Sequence, residues 1–524
     1  MLCAMEAFDG ANVRFALLVS YLASSAFRDR LPGVSRHWTK LLAVLVAIGL
    51  LSYIALVRVQ SSSGVVHLHQ SEVYHYYIGT KYFAELGHDG LYEATVIADF
   101  EDDRSGHRPR APVRDLKGGS RETTRGELVQ RRAQIKRRFP SAERWRQFKA
   151  DIALLRGVDV PGWRSTEFQR DHGYNGTPLT TVLLGSLAAW SPGGPQVFLR
   201  AAVWLDVLLI LALGGWISSR LGWNAGLSFG FFWLVNPFND YDFTGGSYLR
   251  YNYFIALAMA IVFYRVGRRV ATGICLAFAS LFRVFPVMFP IGLIIHDLLS
   301  PQRWARLRDN AWLYGAGALA AAAVIGATSY IATPAQTNPW LEQLEIVAAR
   351  NSVAAPNTIS LRFPFLYGDE HNVAVVTASV RNGEEIDWPA ETTATFEDRK
   401  PLYYAALVVW LMAAMGCARR MRGAQAFVLG IVFSFGMLLL SHYYFCMLSL
   451  LSLIFAEQRR VLEALGLGML IVVGTGWLGP VVEIIDLRYA VYSVEVLALL
   501  IGVLALIWTG VAGSLKREAP VASS

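Results

Sequence analysis

PLTTVLLGSLAAW, Pro178 to Trp190, decides how this chain is laid out. The stretch is apolar throughout, yet shorter than the roughly 20 helical residues needed to cross hydrocarbon. Its reading sets the side of every loop that follows. If it crosses a membrane, the basic turn Arg265, Arg268, Arg269 falls outside. If it lies flat, that turn falls inside with the other short basic turns, as the positive-inside rule requires. Those turns are Arg303/Arg306/Arg308, Arg419/Arg420/Arg422, Arg459/Arg460 and Lys516/Arg517. We therefore read Pro178–Trp190 as a juxtamembrane helix.

The rest of the chain is built around this segment. Of 524 residues, just over half are apolar, and apolar runs of spanning length recur. The expected fold class is an all-α polytopic membrane protein. Leu41–Arg58 is the first span. Arg28, Arg30, Arg36 and Lys40 before it keep the N-terminus cytoplasmic. The later spans fall near 197–218, 225–237, 251–267, 270–283, 284–299, 311–331, 401–417, 424–441, 443–457, 462–479 and 491–513. That predicts a bundle of about twelve helices with both termini inside. The division is an N-terminal segment 1–40, a membrane module 41–331, an external loop 332–400 and C-terminal helices 401–524. The stretch Phe15–Phe27 is expected to lie along the membrane surface or to be a poorly ordered lead-in. It has no signal-peptide cleavage pattern.

The net charge of +8 is that of basic cytoplasmic turns, with no separate basic module for nucleic acid. The four cysteines, Cys3, Cys275, Cys417 and Cys446, form no CxxC and no disulfide framework. No internal repeat is evident, which weighs against an inverted-repeat transporter.

This layout gathers the unusual polar residues outside. The first external loop spans 59–196 and carries a basic insertion, 99–170. Within it, Arg131–Leu155 reads as one or two basic amphipathic helices. They form either a solvated cap resting on headgroups or a platform for an anionic lipid. The second loop, 332–400, mixes helix signals with Asn and Pro turns, and its GDE and NGEE stretches suggest a surface hairpin or disordered turn.

Several residues on that face are candidates for chemistry. Glu72, in SEVYHYYIGTKYF, shares a helical stripe with Tyr76, Gly79 and Phe83. It is either an acid where a substrate approaches closely or a helix-start carboxylate favoured by the macrodipole. Arg283, in FRVFPV, lies in apolar sequence, and Pro286 beside it turns the chain. Its alternative role is to snorkel to the interface. His442, in LLLSHYYFCML, is a proton-transfer candidate or a hydrogen-bonded core histidine. Asp240, Asp242 and Arg250 either belong to the site or solvate a loop. Only Asp240 and Asp242 suggest a divalent metal, and no metal motif supports them. A carboxylate base, cationic groups and a membrane cleft together suit sugar transfer from a lipid-linked phosphosugar.

At these residues the chain resembles a family. The ordered pieces are Glu72 followed by HDGLYEA, then YNGTPLTTVLL, FWLVNPFNDYDFTGG, FRVFPV, NTISL and SHYYF. Their order is similar to that in the GT-C integral-membrane glycosyltransferases. The likeness is closest to the polyprenyl-phosphate-mannose-dependent mannosyltransferases of bacteria and the eukaryotic glycosylphosphatidylinositol mannosyltransferases. It covers about residues 41–457. The resemblance implies a GT-C-like bundle, with Glu72 as the catalytic acid–base residue, Arg283 as a lipid-phosphate contact and His442 as the late histidine. The candidate substrate-binding set also takes in His75, Tyr76, Arg250, Asn357, Arg362 and Tyr443. This chain departs from the family pattern in having Glu for the usual Asp, Arg for the usual Lys, and the long basic insertion. The loop signature Gly-Gln or Arg-Gly-Asn is also missing.

The expectation is an inverting hexosyltransferase on the outer face of a bacterial inner membrane. It would move a sugar, with mannose favoured, from a polyprenyl-phosphate donor to a lipid or glycan acceptor. No cofactor is expected. Membrane lipids are the only other partner, and oligomeric state is open. The alternatives are a lipid or glycan transporter, and a ligase or polymerase of lipid-linked glycans.

Overall fold

The computed structural model describes residues 10–60, 72–102, 109–116, 122–157, 169, 173–191, 194–239, 246–332, 338–350, 357–368, 388–477 and 485–510. Among these, six helices are long and apolar enough to cross a membrane. They are Pro32–Ile54, Pro195–Leu221, Ala311–Ile331, Thr392–Ala418, Arg459–Trp477 and Ile485–Trp508. Shorter apolar helices of 10–17 residues lie among them: Pro178–Trp190, Asn252–Arg265, Arg269–Phe282, Phe285–Leu299, Gly423–Met437 and His442–Ile454. The protein is therefore a mostly helical membrane protein. Its surface is apolar where a water-soluble fold would be polar. Only 11% of the apolar window of Ala311–Ile331 is buried, and Leu319 and Trp312 are 72% and 75% exposed. Such a surface is stable against lipid.

In chain order the principal helices begin with α1 (Gly10–Phe27) and α2 (Pro32–Gln60). A cap follows, with α3 (Gly90–Glu101), the strands β1 (Pro112–Arg114) and β2 (Glu122–Thr124), and α4 (Ala142–Gly157). Next come α5 (Pro178–Trp190), α6 (Pro195–Leu221), α7 (Trp223–Leu234), α8 (Asn252–Arg265), α9 (Arg269–Phe282), α10 (Met288–Leu299) and α11 (Ala311–Ala332). The chain closes with α12 (Pro339–Arg350), β3 (Thr358–Ile359), α13 (Trp388–Ala418), α14 (Phe427–Met437), β4 (Leu440–Ser441), α15 (Arg459–Trp477) and α16 (Ile485–Trp508).

Four features differ from the sequence reading. First, α1 is no loose lead-in. Leu17, Leu18 and Tyr21 are buried, and Ser25 donates to Glu463 of α15 at 2.7 Å. Second, α13 starts within the expected loop 332–400 and runs through Pro401, so that boundary lies inside a helix. Asp369, Glu370 and the NGEE segment fall outside the described residues. Third, β1–β2 and β3–β4 form two small antiparallel sheets in a chain expected to be all-α. Fourth, the expected helix from Ser71 to Phe83 is a π turn, Val73–Ile78, then Gly79–Lys81, broken at Tyr82.

Two apolar cores result. One fills the helix bundle. The other fills the cap, around Tyr74, Tyr82, Tyr92, Phe148 and Tyr174. The insertion's basic residues fasten this cap to itself. Arg125 meets Asp99 at 2.8 Å, Lys136 meets Glu101 at 2.6 Å and Lys149 meets Asp102 at 2.6 Å. Arg138 meets Glu93 at 3.2 Å, and Lys81 meets Asp151 at 2.7 Å. Of the two readings of the insertion, cap or platform, these pairs favour the cap: several of its basic residues are matched by acids at and just past the end of α3.

α5 joins cap to bundle. Its N-cap Thr177 accepts from the Thr180 N–H, and Pro178 follows at the first turn, where its missing N–H costs nothing. Gly185 brings α5 against the cap: a Cβ there would stand 2.9 Å from the Thr80 carbonyl oxygen.

Candidate functional site

The candidate site lies where the π turn of the cap meets the ends of α8 and α9. π turns are rare and are frequently found at functional sites. Here the turn starts at Glu72. Its Oε1 accepts from Arg250 Nη1 at 3.0 Å. The Arg250 side chain is 5% exposed and that of Glu72 17% exposed. The guanidinium of Arg250 lies over the Tyr443 ring, 3.9 Å from its centre, a cation–π contact strengthened by burial. Asp206 of α6 fixes the backbone beneath: its carboxylate accepts from the N–H groups of Arg250 at 2.8 Å and Tyr251 at 3.4 Å. These groups precede α8, where an acid satisfies the unpaired N–H groups of a helix start.

Arg283 approaches from the other side. It ends α9 in an extended conformation, and Pro286 sits in the 3-10 turn Phe285–Val287 that leads into α10. The Thr180 hydroxyl of α5 donates to the Phe282 carbonyl at 3.2 Å, tying this corner to the cap. Arg283 Nη1 donates to the Tyr76 hydroxyl, and its guanidinium lies 4.9 Å from the Tyr76 ring centre. The Tyr76 hydroxyl in turn donates to Asn175 Oδ1 at 2.7 Å. Burial pushes the Tyr76 phenol up to about 12, against the pull of the Arg283 charge and with a further push from Glu72. It therefore remains a donor at neutral pH. Arg283 also feels the charge of Glu72, and Arg250 and Arg283 repel each other.

Tyr443 and Tyr444 complete the aromatic floor, 4.5 Å apart, with Tyr444 edge-on to Phe285 at 4.5 Å. The motif carrying them starts at His442, which is 2% exposed. Its ring lies among Phe238, Tyr489 and Tyr443 at 5.5, 5.5 and 5.7 Å. Its N–H donates to the Asn357 carbonyl at 2.9 Å, continuing the register Thr358↔Ser441 and Ile359↔Leu440. NTISL and SHYYF, far apart in sequence, are thus strand partners. Asn357 contributes through its backbone.

Glu72, Tyr76, Arg250, Arg283 and Tyr443 are brought together. Three expectations need correcting. Arg362 heads the short helix Phe363–Leu366 packed on α13, and its guanidinium lies over Phe396 at 4.0 Å, within α13. His75 is buried in the cap core, with Nε2 2.9 Å from the Tyr92 hydroxyl. The space beside Gly79, expected to admit a substrate, is filled by Tyr174: a Cβ would meet its ring carbon at 3.1 Å. Asp240 and Asp242 lie outside the described residues. Among the described residues no three His, Cys, Asp or Glu side chains are grouped to hold a metal.

Sequence reasoning missed Asp206 and Asn175. Asp206 carried a signal, an acid inside the apolar run 197–218, which in a membrane helix marks a functional or structural site. Asn175 carried none beyond its place in YNGTPL.

The arrangement offers a partly accessible carboxylate, one buried and one half-buried guanidinium and an aromatic floor. That set can bind an anion and accept a proton beside it. Comparison of the chain with protein-family models, curated proteins and solved structures returned no match.

Proposed function

We propose that the protein is a GT-C-type glycosyltransferase that uses a polyprenyl-phosphate sugar, with mannose the favoured sugar. The observation that carries this reading is the convergence of Glu72, Arg250 and Arg283, from three separate elements, on one cluster. In the proposed reaction a carboxylate oxygen of Glu72 takes the proton from an acceptor hydroxyl. The acceptor oxygen forms a bond to the sugar's anomeric carbon from the face opposite the phosphate. The bond from that carbon to the phosphate oxygen breaks, and the electron pair leaves with the polyprenyl phosphate. Inversion follows from the single displacement. Arg283 and Arg250 stabilise the phosphate as its charge grows, and the Tyr76 and Tyr443 rings hold both guanidiniums in place.

In this reading the bundle has about twelve spans, the shorter apolar helices included, and both termini are cytoplasmic. α5 lies along the outer surface, and the site opens to the external side of a bacterial inner membrane. The acceptor is a lipid or glycan. The test is a screen of the purified full-length protein against polyprenyl-phosphate sugars and a diphosphate-linked oligosaccharide. Transfer from a monophosphate donor supports the proposal. Turnover of the diphosphate donor alone favours a ligase or polymerase.

A further inference from the structure

The transferase reading, on which this inference rests, needs Glu72 free to take a proton. The geometry has it held. A carboxylate gripped by a guanidinium is stabilised in its charged form and is a weak base. Arg250 is the fixed member of the pair. Its backbone is pinned by Asp206 and its guanidinium is stacked on Tyr443. Glu72 is the adjustable member, on a long side chain at the head of the π turn and more exposed than its partner. Arg283 completes the contrast: among the described residues its guanidinium meets the Tyr76 hydroxyl and ring.

From this we infer that Arg250 holds Glu72 in reserve and surrenders it to the phosphate of the arriving donor. The phosphate takes the Nη1 contact that Glu72 vacates and spans Arg250 and Arg283, and Glu72 turns toward the acceptor. Guanidinium forks suit this exchange because they bind carboxylate and phosphate with the same geometry. The exchange also sets an order of events. Once turned from Arg250, Glu72 loses that cationic contact and faces a new anion, and both changes raise its affinity for a proton. The base is thus switched on by the donor, and an acceptor, or water, arriving first meets a carboxylate still tied to Arg250.

Infrared difference spectroscopy of the full-length protein in detergent reads the exchange directly. The probe is decyl phosphate, a lipid monophosphate without sugar, with decanol as the uncharged control and binding followed in the same samples. Decyl phosphate should shift a carboxylate stretching band. That shift should be absent with decanol and absent in Glu72→Gln, whose amide still accepts from Arg250. Arg250→Met should bind decyl phosphate several-fold more weakly and give no shift at saturation, because there is no Arg250 contact for Glu72 to leave. Arg250→Lys, which keeps the charge and protects the fold, should retain a smaller shift. Saturable binding of decyl phosphate with no Glu72-dependent band overturns the exchange and leaves the transferase reading standing. A full shift persisting in Arg250→Met also overturns the exchange alone. Absence of saturable decyl phosphate binding to the wild type overturns both.

Discussion

The cap and the cleft beneath it are both rich in charge, and they spend it differently. In the cap, basic residues of the insertion meet acids at and just past the end of α3: Arg125 with Asp99, Lys136 with Glu101, Lys149 with Asp102. In the cleft, Arg250 takes Glu72, Asp206 turns its carboxylate on two backbone N–H groups, and Arg283 meets a tyrosine. Burying an ion pair roughly balances desolvation against attraction, whereas burying a charge without a counter-ion is a net cost. Matched charge therefore needs no ligand to explain it. A guanidinium that, among the described residues, meets a tyrosine hydroxyl and ring is what a site for an anion looks like before the anion arrives.

That contrast can be broken by substitution. Arg283→Met should lower transfer by about 10²–10³-fold, the usual loss when one stabilising donor is removed. Its melting temperature should be unchanged or slightly higher, since a half-buried charge is gone; a large drop would show that Arg283 is structural. Arg125→Met in the cap should do the reverse. It leaves Asp99 buried without its partner and should cost about 3–5 kcal/mol of stability, with turnover per folded molecule unchanged. Denaturant unfolding beside the transfer assay checks both. Loss of turnover without loss of stability would move the cap into the site.

A smaller effect concerns pH. Burial alone would raise the Glu101 carboxyl, but Lys136, Trp145 and Lys149 together hold it below the usual carboxylate range. A lowered carboxylate contributes stability above its unfolded pKa, and that contribution is lost as pH falls through the folded value. Unfolding followed on the acid side should therefore show a steeper loss for the wild type than for Glu101→Gln. Equal slopes would assign no stabilising role to the pairs around Glu101.

Much of this was legible in the chain, and what was not has identifiable causes. The long apolar helices follow from run length alone. The bounds of Pro178–Trp190 follow from the Thr-Pro start and the Ser-Pro-Gly-Gly that ends it. The meeting of Glu72 and Arg283 was expected because both are charges in apolar surroundings on one expected face. Pairings across the fold were not legible. Arg362 looks like Arg283 in sequence, one directly before Phe-Pro and the other two residues before it, yet one caps a helix packed on α13 and the other faces the π turn. The basic insertion could be read as a platform as well as a cap because its counter-ions lie up to 59 positions away, as for Arg144 and Glu85. The π winding leaves no mark in composition. The topology can be tested where the sequence was decisive. Trp190 and Trp223 are 71% and 68% exposed at opposite ends of α6. In a background free of native cysteines, Trp190→Cys should label from outside and Trp223→Cys from inside. Labelling of Trp190→Cys only from the cytoplasm would make α5 a crossing helix.

The central claim is that Glu72 is the base of a sugar transfer from a lipid monophosphate. Its most direct test is the transfer rate of purified Glu72→Gln beside wild type, with a polyprenyl-phosphate sugar as donor. The account predicts a loss of about 10²–10⁴-fold, the range for a general base, with the melting temperature and decyl phosphate binding retained. Wild-type turnover in Glu72→Gln would contradict it.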